Sequence, residues 1–536
     1  MTYQSAFTAP HFKASEVGQS ILDAGGTASE AMVAAAAMIS VQYPHMNSIG
    51  GDGFWLISKA GQAPITIDAC GMAASQVNVE SYRNNGNEIP EAGGRAAITM
   101  AGTISGWQKA LELDNSGLPL STLLQPAIDA ATQGIEVTQS LVDASVKTFS
   151  RLSEYSHFRA IFLNNGQVLR LGENLTNPAL ADTFKKLATL GLESFYRGEL
   201  AEQMAEELAE VNSPITLQDF NAYHAKVMTP LAVKISKGQL YNLDAPTQGL
   251  ASLLILAIYD RLVEQATCEC DHIHLLVEAT KQAFIIRDQH VTDADHLSQP
   301  LQDLLSDQVI EECVQKISMH KALPWPHVAK PGDTVWMGAS DKNGTMVSFI
   351  QSIYWEFGCG VVLPSSGIVW NIRAKSFTLD EHHHNVLKAG KKPFHTLNPA
   401  YAELEDGRRM VYGTMGGEGQ PQTQACVFSR YIYQQMDLSA SVNQPRWLLG
   451  RTWGDDNNNL RLEASLYQAY GKTLRELGHD VTSVDDNNEL MGHAGAIVLN
   501  SMDQLTGNNI ESKTTNTTIA TSDLRSDGCS LLGEQK

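Results

Sequence analysis

The chain reads as a layered α/β sandwich rather than an all-helical body. Three observations predict this. Helical and strand-like patterns alternate through the first half, a breaker-rich linker near residue 325 leads straight into a β-hairpin, and strands with glycine turns then dominate to about Gly417. Ser15 to Ala24 has helical spacing and stops at Gly25-Gly26, residues suited to a C-cap. Thr27-Ala28-Ser29-Glu30 opens an alanine-rich helix through Ser40, with Thr27 or Ser29 as its cap. Small residues on every side predict that this helix packs between layers. After the Gly50-Gly51-Asp52-Gly53 turn, Phe54–Ser58 reads as a buried strand with Ile65–Asp68 as partner. From Leu118 to Leu262 the pattern is mostly amphipathic helix, clearest at Met204–Val211 and Leu250–Leu262, and His274 to His290 continues it. Pro324-Trp325-Pro326 and Ala329-Lys330-Pro331-Gly332-Asp333 break it. The runs Thr334–Ser340 and Thr345–Gln351 follow, joined by Asp341-Lys342-Asn343-Gly344, whose Asn-Gly is a strong hairpin signal. An α/β tail completes the chain, with the polar Gly507–Thr521 stretch expected as loop, and no internal repeat is found.

Composition narrows the function. At 536 residues with 43% hydrophobic side chains, the chain has material for two or three ordinary domains or one large α/β body. Thirty-eight basic against 59 acidic residues leave a net charge of −21. Phosphate backbones and anionic lipid both need clustered Lys and Arg, so neither nucleic acid nor a membrane surface is expected as partner. The start lacks a basic region followed by an apolar run, and the longest apolar stretch, Ala31 to Ile39, is far short of a membrane span. Seven scattered cysteines make no disulfide framework. A cytoplasmic protein is expected.

Two constellations carry chemistry. A threonine hydroxyl is a poor nucleophile without an adjoining base. If Thr334 became the first residue of a chain, its own α-amine, a group that ordinarily titrates at about 7.7–8.0, would serve as base near neutral pH. That requires a cut between Asp333 and Thr334, where a linker runs into a strand; otherwise Thr334 simply starts the strand. The run Tyr412-Gly-Thr-Met-Gly-Gly-Glu-Gly419 places adjacent glycines, Gly416 and Gly417, at a strand end, where backbone N–H groups can turn toward a developing oxyanion or merely make a turn. Gly50–Gly53 lacks the Lys-Ser/Thr of a P-loop. Cys268-Glu-Cys270-Asp-His272-Ile-His274 and His382-His383-His384 offer metal-type ligands, but a helix start and a solvated loop explain them, so neither metal nor cofactor is expected.

These pieces, in this order, resemble the γ-glutamyltranspeptidase family of N-terminal-nucleophile hydrolases. The resemblance runs through Asp23–Ala31, Tyr43–Phe54, Ala101–Gly106, Glu278–Phe284, Asp333-Thr334, Phe357–Gly360, His395–Pro399, Met415–Gly417 and Asp523–Gly528. It implies a four-layer αββα sandwich made as one precursor that cleaves itself before Thr334. The products would be a large chain, 1–333, and a small chain, 334–536, which stay associated, with a homodimer of such pairs as an open option. It also implies Thr334 as nucleophile, Gly416 and Gly417 as oxyanion donors, and Ser352 where the family has a threonine supporting the nucleophile.

The departures from the family pattern bear on substrate. Members that cleave glutathione carry an arginine where this chain has Cys70, an asparagine where it has Tyr354, paired aspartates where it has Lys375-Ser376, and a serine pair at His395-Thr396. The nucleophile remains while the amino-acid clamp is gone. Trp336, Tyr354, Trp355 and Trp370 lie along segments expected to line the pocket, where they would narrow it, or fill the core, and the pattern looks closest to the oxamate amidohydrolase branch, which acts on a small amide in purine-ring catabolism. An anionic substrate needs a cation, for which Arg373 is the first candidate and His395 the second, with Thr396 and Tyr354 beside them. The expectation is therefore an autoprocessing hydrolase that releases ammonia from a small amide. The alternatives are a γ-glutamyl hydrolase or transpeptidase with a rebuilt clamp, and a non-catalytic family member.

Overall fold

The computed structural model describes residues 3–325, 333–450, 458–502 and 515–534. Thirteen strands are enough to define the site. They are β1 (Ala6–Ala9), β2 (Asp52–Ser58), β3 (Ile65–Ala69), β4 (Lys226–Met228), β5 (Leu231–Ile235), β6 (Gly238–Asn242) and β7 (Asp333–Ser340), then β8 (Met346–Tyr354), β9 (Ala400–Leu404), β10 (Arg409–Gly413), β11 (Gly495–Met502), β12 (Thr515–Ser522) and β13 (Cys529–Leu532). They build a seven-stranded sheet in the order β13-β1-β7-β8-β2-β3-β4 and a six-stranded sheet in the order β12-β11-β10-β9-β6-β5. Helices α1 (Phe12–Asp23), α2 (Ala28–Gln42) and α3 (Thr103–Leu113) cover the outer face of the first sheet. Helices α4 (Gly249–Leu262), α5 (Glu269–His290) and α6 (Gln420–Phe428) lie over the second, α4 and α6 directly on it. The result is the αββα sandwich.

Local chemistry accounts for the elements. Thr27, not Ser29, caps α2: its hydroxyl accepts the Glu30 N–H while the Glu30 carboxylate accepts the Thr27 N–H at 2.8 Å, a complete capping box. Every residue of α2 is buried, as its small side chains require in a helix held between layers. In the β7–β8 hairpin the Asp341 carboxylate accepts the N–H groups of Asn343 and Thr345, and Gly344 takes φ +79°.

Strand alternation sorts the side chains into two cores. Val335, Met337, Phe349 and Ile57 face the outer helices, whereas Trp336, Ile350, Phe54 and Leu56 face the second sheet, where they meet Val411 and Ile497. Trp336 lies against Gly413 and Gly495, which are register partners in the second sheet. A Cβ on Gly413 would lie 2.2 Å from Trp336 Cδ1, and one on Gly495 2.5 Å from Cζ3.

Several expectations need correction. The 118–262 region is not helix alone: β4, β5 and β6 lie within it, and the tight Ser236–Lys237 turn between β5 and β6 hides the hairpin from helical periodicity. α4 is buried nearly all round rather than amphipathic. Of the expected 507–521 loop, residues 507–514 lie outside the described residues, and Thr515–Ser522 is a strand paired along its length with β11. Threonine suits a sheet-edge strand with one wet face. Of the two roles open to the aromatics, Trp336 and Trp370 take that of core: the first lies between the sheets, and the second donates its indole N–H to the Thr99 carbonyl. Of the breaker-rich linker, residues 326–332 lie outside the described residues. No helix among the described residues is long and apolar enough to cross a membrane.

The Trp336 contact gives a test. Gly413→Ala drives a methyl into the indole and should lower stability by about 1–3 kcal/mol, read as a lower urea midpoint with an unchanged slope.

Candidate active site

The two sheets bring one end of β7, β8, β2 and β3 over the turn that follows β10. Thr334 is buried at a register shift in β7, where Asp333 pairs with Tyr354 but Val335 pairs with Gln351, so Thr334 lies opposite Ser352 and Ile353. On the next strand Ser352 pairs with Asp52, and Asp68 lies one strand further on. From the second sheet, β10 ends at Gly413, and Gly416 (φ +114°) and Gly417 (φ +52°) turn the chain into the short helical turn ahead of α6. Glycine adopts both left-handed conformations without the steric cost a side chain would bring. Neither N–H donates to a protein acceptor among the described residues, so both are available as anion donors.

Asp52 is the centre of the polar set. It is fully buried, and its Oδ1 accepts the Gly71 N–H at 2.8 Å. Its Oδ2 lies 3.0 Å from His395 Nε2 and 3.6 Å from Arg373 Nε. His395 Nδ1 accepts the Leu397 N–H at 3.3 Å, which leaves the proton on Nε2 to be donated to Asp52. Burial first, then the Arg373 charge, holds the His395 pKa well below its ordinary value. The imidazole is neutral at neutral pH, so His395 is not the cation of the site.

Arg373 is a fully buried guanidinium beside Asp52. Its guanidinium reaches Thr396 Oγ1 and Ser352 Oγ at 3.5 Å each, lies over the Tyr354 ring with Cζ 4.0 Å from the centroid, and leaves Nε without a hydrogen bond. Tyr354 occupies φ +82°, an outlier for so bulky a residue. Its N–H is held by Ser352 Oγ at 2.8 Å. Arg373, Ser352, Thr396, Tyr354 and His395 therefore converge. Lys375 points elsewhere, donating to the Ile89 carbonyl at 3.0 Å. Trp355 lies outside this set, near Arg151 and Lys375.

Sequence reading missed Asp52, Asp68, Lys392 and Gln248. Lys392 Nζ donates to Asp68 Oδ2 at 2.6 Å. Burial opposes the Lys392 charge, but Asp68 outweighs it and raises the pKa. Gln248, just ahead of α4, ties the site's two loops by donating to the carbonyls of Thr396 (2.6 Å) and Gly417 (2.8 Å). Arg287, paired with Glu418 at 3.0 Å, donates to the Gln248 side-chain oxygen. Only the alternation of β2 and β3, which puts Asp52 and Asp68 on the inter-sheet face with Phe54, could have signalled the two carboxylates. A recess of about 200 Å³ opens where Phe394 precedes His395 and Glu418 follows Gly417.

Asp52, Cys70 and His395 have donor atoms near enough to share a metal ion. Arg373 and Lys392 already balance Asp52 and Asp68, and burial followed by the two aspartates raises the Cys70 thiol well above its ordinary pKa. With a neutral thiol and paired carboxylates, the cluster suits hydrogen bonding better than a dication. The expected loop at His382–His384 is largely exposed, and His272 and His274 lie on α5.

Burial raises Asp52 to about 6, against the pull of Arg373 and the Gly71 N–H. Because this lies above the unfolded value of 3.8, protonated Asp52 favours the fold in acid, and that contribution is lost as pH rises through about 6. The ion pair that orients Arg373 exists only above that pH. Below pH 6 catalytic efficiency should therefore fall more steeply than protonation of a single base allows, and Asp52→Asn should remove that added steepness while lowering the plateau.

The Gamma-glutamyltranspeptidase family profile matches residues 14–530. The chain is 50% identical over 494 residues to an oxamate amidohydrolase proenzyme of Klebsiella pneumoniae, covering 91% of this chain and 93% of that one. It is 34% identical to the glutathione hydrolase-like YwrD proenzyme of Bacillus subtilis, again over 91% and 93%. Its fold superimposes on the crystal structure of a cephalosporin acylase from Bacillus halodurans with a TM-score of 0.89 at 28% identity, over 100% of this chain and 97% of that one. The chain belongs to the gamma-glutamyltranspeptidase family and is an amide-bond hydrolase.

Proposed function

We propose that the protein is made as a precursor, cleaves itself between Asp333 and Thr334, and then hydrolyses a small anionic amide of the oxamate type to release ammonia. The observation that carries the substrate reading is Arg373, a buried guanidinium whose ion pair with Asp52, at 3.6 Å, falls short of a hydrogen bond and leaves its donors unsaturated. A substrate carboxylate would supply two acceptors in the fork geometry a guanidinium prefers. Cys70, at the family's arginine position, is small and lies within the same cluster as Asp52. A charge delivered from the 373 loop thus replaces the one lost there. Tyr354, stacked on that charge, occupies space beside it and so favours a short acid over an amino-acid backbone. The name of the Klebsiella relative points the same way.

In maturation the Thr334 hydroxyl oxygen attacks the Asp333 carbonyl carbon. The peptide C–N bond breaks, the Thr334 nitrogen takes the hydroxyl proton, and water hydrolyses the resulting ester to an Asp333 carboxylate and a free Thr334. In turnover the Thr334 amine accepts the proton of its own hydroxyl as Oγ attacks the amide carbon. Gly416 and Gly417 N–H groups meet the oxyanion, the C–N bond breaks, and the proton passes to the departing ammonia. Water then releases the acid. Ser352 orients the nucleophile from the neighbouring strand. Fragments 1–333 and 334–536 would remain together, because β1 pairs with β7 and β13 while β2 pairs with β8. We assign the enzyme to the cytoplasm and to purine-ring catabolism; seven unpaired cysteines support the first.

Thr334→Ala should abolish both the appearance of two fragments on a denaturing gel and ammonia release from oxamate, whereas Thr334→Ser should keep part of each. Turnover of γ-glutamyl-p-nitroanilide with none of oxamate would overturn the substrate reading. Arg373→Met removes two charge-assisted hydrogen bonds at roughly 1.5–3 kcal/mol each, so the KM for oxamate should rise about 10²-fold or more. An unchanged KM would remove Arg373 from the site.

A further inference from the structure

A buried set of polar side chains, unused by the chemistry above, grips the chain shortly before the cleavage site. One face of α5 presents His274, Glu278 and Lys281, all buried. Lys281 Nζ donates to Glu278 Oε1 at 2.6 Å and to the Leu323 carbonyl at 2.6 Å, and lies 3.5 Å from His479 Nδ1. Each of the three ammonium protons therefore has a partner. Glu278 Oε2 accepts the Leu323 N–H at 3.0 Å, so side chains hold both backbone polar groups of Leu323.

The rest of the set follows from hydrogen-bond logic. A carbonyl only accepts, so His274 Nε2 donates to the Ser318 carbonyl at 2.8 Å, and its Nδ1 accepts the His479 Nε2 proton at 2.8 Å. Next to Leu323, the Ala322 N–H donates to the Leu477 carbonyl at 2.7 Å. Packing alone would be met as well by apolar residues, since burying an ion pair carries a large desolvation cost. Only polar groups can satisfy the backbone of a residue that lies in no strand or helix.

We propose that Glu278 and Lys281 are positioning residues for self-cleavage. They fix one end of the segment whose other end is β7, so that the Asp333–Thr334 peptide is presented to the Thr334 hydroxyl. This inference rests on cleavage before Thr334. After that cleavage His479 belongs to the small fragment and its partners to the large one, so the same contacts become a joint between the two.

The test compares maturation with turnover. Freshly made Lys281→Met precursor is followed by denaturing gel and intact mass, and matured material is assayed for ammonia release from oxamate. Cleavage should slow at least threefold, while kcat and KM of the matured fraction stay within twofold of wild type. Wild-type cleavage rate in Lys281→Met would overturn the proposal. So would an equal loss in both readouts, which marks general loosening. Glu278→Gln keeps an acceptor for the Leu323 N–H but loses the ion pair, and should be intermediate. If Lys281→Met does not fold, an unchanged cleavage rate in Glu278→Gln overturns the proposal instead. A wild-type chain not cut between 333 and 334 would overturn the cleavage reading itself, and this inference with it.

Discussion

A carboxylate sealed between two β-sheets cannot stay unpaired, and that requirement organises the site around Asp52. Water does not reach it, so a backbone N–H, a neutral imidazole and a guanidinium approach it instead. Each comes from a different part of the chain: Gly71 from the end of β3, His395 from the loop before β9, and Arg373 from the turn after the Trp370 segment. Satisfying one buried charge thus fixes three loops relative to Thr334 and Ser352. Arg373 in turn is held by one carboxylate at 3.6 Å, two long hydroxyl contacts and a ring face. That is enough to keep the cation buried and too little to saturate its donors.

The two sheets meet under a different constraint, that of steric fit. Trp336 fills the space that side chains on Gly413 and Gly495 would occupy. The indole therefore sets how closely β10 and β11 approach β7. Thr334 precedes Trp336 on its strand and Gly416 follows Gly413, so the distance between the Thr334 hydroxyl and the Gly416 and Gly417 N–H groups depends on this packing. Gln248 completes the arrangement by bonding both the 396 and 417 carbonyls. A small shift in any of these would be felt as misplacement of the reacting atoms.

Much of the fold was legible because its signals are local. The capping box at Thr27, the Asn-Gly turn at 343–344 and the apolar β-type runs of β2 and β8 each depend on neighbours a few residues away. The missed strands β5 and β6 are short and sit among helices, and β12 is a polar edge strand whose identity comes from its partner β11. Trp336 and Trp370 illustrate the same limit from the other side. Bulk and hydrophobicity are visible in sequence, but whether a ring lines a pocket or fills a core depends on the opposing sheet.

What the sequence by itself determined was the kind of chemistry: a threonine after a linker, paired glycines at a strand end, and the loss of an arginine at Cys70. Those are properties of residue type and order. The tertiary structure alone decided that Arg373 is buried beside Asp52, that His395 is held neutral, and that Asp52, Lys392 and Gln248 gather around Thr396 and Gly417. The reason is physical. Protonation and ion pairing depend on burial and on partners brought in from hundreds of residues away, as Asp52 and His395 are, and no local pattern encodes such a meeting.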